Sequence, residues 1–461
     1  MKLHYKQTAI PLLLTSLFAL TLTACDSAQD TTTSGKSTTL RQGPATGILT
    51  DAAIEGVSYS ASSGASGITD AAGLFKFNYG DHVEFRIGQL NLGEVPGAAL
   101  ITPIELAAGH ANKLQNLLIL FQSLDADNDP GNGITIPQAA AAALDTSIDL
   151  KMAPEDFVNA PALLAAREAA DIPGDIRTAE QANAHFLSQA VNLLGNHLWA
   201  NYDDSGASFF RMSTDGSGEY LHGITTADDV CDANRSCGSK VVFTAGVEYG
   251  VAEATEVDER GFKLASTTEV DTNLQSGLSH PRPSWRIHTD GDELIMSDIV
   301  VVQREREQAS LFGELFHISK PIELSSDDEV AETEVQETRY MKMDNNPSDI
   351  VGAWAESRDT IKTPTLLFFA NNRYMLVDPT GTAGQSAPAA CAKPGVEFAT
   401  YAYDTASSAL KLSTFIYNTS GCAGLSEHTG QALTFEIDTD GQSATLSREG
   451  RALFTLYRIS I

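Results

Sequence analysis

The residues with the clearest potential for chemistry are oxygen-bearing side chains at alternate positions, Asp125, Asp127 and Asp129, followed by Asn132. Carboxylate and amide oxygens at this spacing can converge on one hard cation when the loop wraps around it. These four residues are therefore a candidate calcium site, and calcium is the only cofactor that the sequence suggests. The alternative is a loop rich in Asp, Asn and Gly that stops the helical pattern ending at Leu124.

The start of this run resembles the calcium loops of EF-hand and dockerin proteins, but the remainder departs from them. Pro130 stands where an EF-hand has glycine, and Ile136 stands where the bidentate glutamate would be. The resemblance therefore implies an incomplete, open or weak site.

Catalytic signatures are not found in the sequence. It has no G-x-S-x-G elbow, no H-E-x-x-H, no P-loop and no G-x-G-x-x-G between a strand and a helix. Its histidines are scattered, and the Thr-Asp-Gly triplets that begin at 214, 289 and 439 are typical of hairpin turns. We therefore predict no catalytic residues and expect a protein that is not an enzyme.

The amino terminus has the layout of a secretory signal. Lys2 and Lys6 precede a mostly apolar stretch over 10–22, which ends in Leu22-Thr-Ala-Cys25. The stretch is shorter than the roughly 20 apolar residues that a membrane-spanning helix needs. The arrangement resembles the lipobox of bacterial lipoproteins.

That resemblance implies cleavage before Cys25, acylation of this cysteine with palmitate-like chains, and a mature protein anchored by lipid in the bacterial cell envelope. The alternative is an ordinary signal peptide with a chance cysteine. Asp26 resembles an enterobacterial signal for retention in the inner membrane. Because sorting rules differ between bacteria, inner or outer membrane and periplasmic or surface exposure all remain open.

The four other cysteines form an even set, as expected of disulfides in an exported protein. Proximity favours Cys231–Cys237 and Cys391–Cys422, and the two other pairings remain open.

The net charge of −30 gives a surface that repels phosphate backbones, so nucleic acid is excluded as a partner. Divalent cations and basic surfaces are compatible with this charge, and so is simple solubility.

The first half of the chain divides by its hydrophobic patterns. We predict a signal peptide over 1–24, a flexible tether over 25–44, a β-sandwich module over 45–104 and a helical domain over 105–198. The module resembles the carboxypeptidase-regulatory-like or Cna-B-like modules of bacterial surface proteins, which implies a non-catalytic spacer. The residues that carry this resemblance are Gly56, Gly67, Thr69, Asp70 and Gly73.

The second half contains an internal duplication. Gly246-Val-Glu-Tyr matches Gly395-Val-Glu-Phe, and Gly277-Leu-Ser matches Gly424-Leu-Ser in the same order. Further matches pair Trp199-Ala with Trp354-Ala and residues 315–319 with residues 456–460. We predict two copies of one β domain, over 199–345 and 346–461.

The hydrophobic pattern of each copy predicts a meander of about eight strands. Such a meander would close into a barrel because closure removes unpaired edges. Gly352-Ala-Trp354 and the late Arg458 resemble the start and end of lipocalin-like barrels, in which the arginine packs on the tryptophan. For the acidic stretch between the copies, two interpretations stay open: a solvated linker, or a last strand of the first barrel over 335–343. Aromatic residues of the second copy would either line a ligand cavity or fill a core: Trp354, Phe368, Phe369, Tyr374, Phe398, Tyr401 and Tyr403.

The sequence thus predicts a mainly β protein with a helical insert: an N-terminal β-sandwich module, a small helical domain and two tandem antiparallel β-barrel-like domains. It predicts a lipid-anchored cell-envelope protein with a non-enzymatic binding, adhesion or structural role, since repeated domains without a shared reactive residue suit multivalent binding. The alternative is a carrier of a small apolar ligand or lipid. Expected partners are the membrane, through the lipid anchor, and an envelope protein, a glycan or an apolar small molecule.

Overall fold

A computed structural model describes residues 43–195, 197–225, 245–273, 277–279, 285–290, 292–305, 329–343, 347–381, 393–420 and 424–459. The predicted signal, Cys25 and the first part of the tether lie outside these residues, as do Cys231, Cys237, Cys391 and Cys422. Lipidation and both disulfides therefore stay predictions. Among the described residues, no helix combines the length and apolar character that crossing a membrane requires.

The amino-terminal part contains eight strands: β1 Pro44–Leu49, β2 Ile54–Glu55, β3 Ser58–Ala61, β4 Ser66–Ile68, β5 Leu74–Asn78, β6 His82–Ile87, β7 Leu90–Pro96 and β8 Leu100–Ile101. Seven of them form two small sheets with the strand orders β5-β1-β8 and β4-β3-β6-β7. The sheets share an aromatic core, in which Phe75 of β5 and Phe85 of β6 lie 5.1 Å apart between ring centroids. Alternation of buried and exposed residues along these strands produces this sandwich.

Helices follow, and one short strand among them returns to the sandwich, where β9 pairs in parallel with β2. A capping box opens the last of these helices, since Thr178 and Gln181 exchange side-chain-to-backbone hydrogen bonds of 2.9 and 3.2 Å. The elements are α1 Pro103–Ala107, α2 Ala111–Ser123, β9 Ile134–Thr135, α3 Gln138–Ala143, α4 Pro154–Phe157, α5 Pro161–Ala169 and α6 Ala179–Gly195.

Two closed antiparallel barrels of eight strands each complete the chain, as the duplication predicts. The first has β10 Trp199–Tyr202, β11 Ala207–Met212, β12 Glu219–Ile224, β13 Gly246–Asp258, β14 Gly261–Asp271, β15 Arg286–Asp290, β16 Glu293–Glu305 and β17 Glu329–Lys342. The second has β18 Gly352–Ala355, β19 Thr365–Phe368, β20 Arg373–Asp378, β21 Gly395–Asp404, β22 Ala409–Asn418, β23 Leu433–Ile437, β24 Ser443–Arg448 and β25 Arg451–Arg458.

The end of the first barrel resolves one open alternative. The segment over 335–343 does belong to a last strand, β17, which pairs with both β16 and β10. Lys342 lies opposite Trp199 there, as Arg458 lies opposite Trp354 in the second barrel. Lys342 is therefore the structural counterpart of Arg458, whereas residues 315–319, which the sequence match pairs with 456–460, lie outside the described residues.

The two barrels pack against each other through corresponding outer faces, those of β10–β13 and β18–β21. Gly223 lies against Val377, which occupies the corresponding position in the second barrel; a Cβ on Gly223 would approach a Val377 methyl to 2.5 Å. The stacked rings of Tyr202 and Phe369, 4.3 Å apart, extend the contact. The duplicated domains thus form an internal pair. The apolar residues of the interface between them include Phe209, Leu221, Val247 and Tyr249 from the first barrel and Leu367, Met375, Val396 and Phe398 from the second.

Candidate functional site

Both barrels contain a buried carboxylate that holds a loop in place. Glu248 on β13 accepts hydrogen bonds from the backbone N–H groups of Leu278 and Ser279 at 2.7 and 2.6 Å. On β21, Glu397 accepts from the corresponding N–H groups of Leu425 and Ser426, the former at 3.0 Å. The duplicated Gly-Val-Glu and Gly-Leu-Ser motifs therefore meet in space, which explains why both copies keep them.

The glycine of the Gly-Leu-Ser motif is needed because the carboxylate approaches the backbone closely. A Cβ on Gly277 would lie 2.0 Å from an oxygen of Glu248, and one on Gly424 would lie 2.7 Å from an oxygen of Glu397. Gly424 also has a φ of +90°, which other residues rarely adopt. The motif thus combines a buried acceptor with a loop that only glycine allows.

Burial raises the pKa of both carboxyl groups. Desolvation is the largest influence on each, and it raises the pKa of Glu397 to about 7 although hydrogen bonds from Ser426 and Tyr374 oppose it. The pKa of Glu248 is also raised, with the hydrogen bonds of Ser279 and Leu278 opposing the shift. Each barrel therefore keeps a carboxyl group that is more readily protonated than an exposed glutamate.

The first barrel adds a buried polar cluster next to its glutamate. Ser208 Oγ lies 3.1 Å from His222 Nε2 and 2.9 Å from the Tyr340 hydroxyl, while His222 Nδ1 lies 3.4 Å from Asn273 Nδ2 and 3.8 Å from Glu248 Oε2. Strands β11, β12, β13 and β17 supply four of these side chains, and all five are buried. We call Ser208, His222, Glu248, Asn273 and Tyr340 the polar cluster.

The second barrel keeps the glutamate but has leucines in place of two members of the polar cluster. Leu376 lies beside Glu397 as His222 lies beside Glu248, and Leu456 takes the place of Tyr340. The Tyr374 hydroxyl donates to Glu397 at 3.2 Å. The polar cluster is therefore a feature of the first barrel, added to a motif that both barrels share.

The chemistry of the polar cluster follows from its burial. Burial lowers the pKa of His222 to about 4, so the imidazole is neutral at physiological pH. The distance between Ser208 and His222 matches that of a nucleophile and its base, but Glu248 is 3.8 Å from the imidazole and already accepts two backbone N–H groups. The arrangement can orient polar groups at the loop end of the barrel, where the Gly-Leu-Ser segment lies.

The aromatic residues of the second barrel fall into two groups. Trp354, Phe368, Tyr374 and Tyr401 belong to the interior core, where Phe368 lies 5.1 Å from Tyr401 between ring centroids. Phe369 and Phe398 belong instead to the interface with the first barrel, and Tyr403 packs at the edge of the interior core. The interior residues pack on one another, which agrees with the interpretation that they fill the core.

Arg458 confirms the expected contact with the tryptophan. Its guanidinium lies 4.1 Å from the centre of the Trp354 ring and donates to the carbonyl oxygens of Gly441, Val351 and Asp349 at 2.7, 2.8 and 2.6 Å.

The loop proposed for calcium is held by its own hydrogen bonds. Asp127 accepts from the backbone N–H of Asp129 and from the Asn132 amide, both at 3.0 Å, and Asp125 accepts from the N–H of Thr135 at 2.9 Å. Across the part of the chain that the structure describes, no group of three or more His, Cys, Asp or Glu residues is arranged to hold a metal ion. Asp125, Asp127, Asp129 and Asn132 thus lie in one loop that follows α2, and calcium binding there stays a prediction.

The sequence shows the duplicated Gly-Val-Glu and Gly-Leu-Ser motifs but not that they contact each other, and it does not reveal the polar cluster. Ser208 and Tyr340 are 132 positions apart, so spacing alone could not connect them. The available signal was a serine and a histidine in the alternate positions of β11 and β12 that are otherwise apolar or aromatic, such as Phe210, Met212 and Tyr220.

No family model matches the chain, and no curated protein or solved structure matches it either. The function of this chain is therefore inferred from its own residues.

Proposed function

We propose that this chain is a lipid-anchored protein of the bacterial cell envelope with a non-enzymatic binding, adhesion or structural role. The observation that carries the proposal is the way in which the two barrels are packed. Their corresponding faces are buried against each other, and the interior of the second is packed by its own aromatic and aliphatic side chains. We therefore expect a partner to bind the remaining outer surfaces and the loops of this pair of domains.

A paired arrangement suits such a role for physical reasons. An apolar interface between barrels holds their loops at a fixed separation, and two linked surfaces gain avidity when a partner engages both. The acidic charge of the chain favours partners with basic or cation-bridged surfaces. The anchor is supported by the resemblance of Leu22-Thr-Ala-Cys25 to a lipobox.

Membrane fractionation tests the anchor. The Cys25→Ala variant should leave the membrane fraction, whereas Cys231→Ala, a matched change of another cysteine, should stay in it. Lipid anchoring would be refuted if the Cys25→Ala chain still sediments with membranes and the parent chain is not labelled by a palmitate analogue.

The second candidate is a carrier of a small apolar ligand or lipid. The polar cluster favours it, because the first barrel alone places Ser208, His222 and Tyr340 where the polar group of an amphipathic ligand could be held. Ligand pockets generally combine apolar walls with a few such convergent groups.

Native mass spectrometry of residues 26–461, before and after organic extraction, separates the two candidates. A mass excess that extraction removes, and that Ser208→Ala or Tyr340→Phe abolishes, would establish the carrier. A bare mass would support binding through the outer surfaces of the barrel pair.

A further inference from the structure

A cleft of about 400 Å³ lies between the amino-terminal sandwich, α1 and the first barrel. Volumes of about 300–1,000 Å³ are typical of small-molecule sites, which often occur between domains. The cleft is outside both barrel interiors and is separate from the polar cluster.

One wall of the cleft is apolar. It is formed by the end of β7, the connection to β8, and α1, and its rim includes the exposed residues Ala108 and Gly109. The apolar side chains of this wall are Val95, Pro96, Ala98, Ile101 and Ile104. A hydrocarbon group that packs against this wall is removed from water, which favours binding.

The opposite wall, from the first barrel, is polar and predominantly acidic. Glu259, Asp290 and Glu337 line it together with Arg260, whose guanidinium is paired with Asp258 at 2.9 Å. Arg339 pairs with Asp290 at 3.5 Å and with Glu337 at 2.7 Å, so Glu259 is the carboxylate of this wall best placed to accept a further cation. His288 also lines it, and its buried Nδ1 atom has no hydrogen-bond partner among the described residues. This wall is suited to a cationic group that also donates hydrogen bonds.

The two walls are joined through one side chain, Glu105 of α1. It accepts hydrogen bonds from the N–H and hydroxyl of Thr102 at 2.7 and 2.6 Å, and from those of Thr289 on β15 at 3.2 and 2.9 Å. This cross-link sets the distance between the walls, so the cleft is preorganised and little ordering is needed on binding.

We propose that this cleft binds an amphipathic molecule with a short hydrocarbon group and a protonated amine. The hydrocarbon contacts the wall formed by β7, β8 and α1. The ammonium group lies against Glu259 of the barrel wall and donates to Nδ1 of His288. This site depends on neither the lipid anchor nor the barrel interiors, so it goes beyond the function proposed above.

Isothermal titration of residues 26–461, which include every described residue, tests the proposal with octylammonium as the probe. We expect saturable binding with one molecule per chain and binding of octanoate that is weaker by about tenfold, equivalent to about 1.4 kcal/mol. Ala108→Phe places a ring at the rim of the cleft and should weaken octylammonium binding by about tenfold. Glu259→Gln should weaken it by about threefold, and Glu253→Gln, an exposed glutamate on β13, should leave it unchanged.

Three outcomes would overturn the proposal: no saturable binding of octylammonium, equal binding of octanoate, or binding that Ala108→Phe and Glu259→Gln both leave unchanged. Thermal melting of each variant shows whether it is folded, and Glu259→Gln changes no buried core residue, so the test does not depend on Ala108→Phe alone. Failure here would leave the membrane fractionation of Cys25→Ala and the mass of the extracted protein unaffected.

Discussion

At the scale of single residues, the shared glutamates give the protein a defined pH response. Burial raises the pKa of Glu397 to about 7, above the value of 4.5 for a free glutamate. Between these values the folded chain binds more protons than the unfolded chain, so this group's contribution to stability falls as pH rises from about 4.5 to about 7. Its contribution is fully present below that window.

The Glu397→Gln variant should lack this part of the pH dependence. The difference in unfolding free energy between variant and parent should change by about 2–3 kcal/mol between pH 4.5 and pH 7.5, in favour of the variant at the higher pH. Urea titrations at several pH values measure it. Glu436→Gln, at an exposed position of β23, is the matched control, and parallel pH profiles for Glu397→Gln and the parent would contradict the assignment.

Arg458 makes a second prediction at this scale. Its guanidinium lies over Trp354 and donates to three carbonyl groups, which a lysine ammonium cannot satisfy with the same planar geometry. Arg458→Lys should therefore lower the unfolding free energy by about 2 kcal/mol. Arg451→Lys, an exposed arginine on the same strand, should change it by less than about 0.5 kcal/mol, and equal losses would refute the role of Arg458.

At the scale of elements, the loop held by each buried glutamate tests the close approach of glycine to carboxylate. Gly424 and Gly450 both have positive φ, +90° and +78°, but a Cβ meets nearby atoms only at Gly424, where a Leu376 methyl lies at 2.5 Å. Both Gly→Ala changes add backbone strain, so their difference isolates the steric contact.

We expect Gly424→Ala to cost about 1–3 kcal/mol more than Gly450→Ala in denaturant unfolding. Hydrogen exchange at the N–H groups of Leu425 and Ser426 should accelerate in Gly424→Ala, because the clash displaces the loop from Glu397. Equal costs for the two changes, with unchanged exchange at these amides, would show that the loop is not fixed by this contact.

Elements also show what the sequence could and could not predict. The predicted meander of about eight strands is present in each barrel, because alternation and turn residues are local signals. The turn residues Asn372 and Gly441 have the positive φ that such hairpins require. The polar cluster escaped prediction because barrel closure, which brings β17 beside β10, depends on pairing between distant segments.

At the scale of the whole molecule, one core runs from the sandwich through the helices into the first barrel. Phe186 of α6 lies 6.4 Å from Phe262 of β14 between ring centroids, and α6 ends against the first barrel, where a Cβ on Gly195 would meet the Ser213 carbonyl oxygen at 2.4 Å. The second barrel has its own interior core and joins the first through the shared outer face. Apolar faces of this kind couple the unfolding of neighbouring domains.

Gly223→Trp should separate the barrels without disturbing either interior. The position faces Val377 across the interface, so an indole there cannot fit while the two faces remain in contact. Calorimetry of the variant should resolve a separate unfolding transition for the second barrel, at a temperature below the melting temperature of the parent. Small-angle scattering should show a larger radius of gyration.

Thr455→Trp adds the same ring at an exposed position of β25 and should change neither the unfolding transition nor the radius of gyration. A Gly223→Trp chain that unfolds like the parent with the same radius would show that the barrels do not depend on this face, and the binding role proposed for a rigid pair would lose its structural basis.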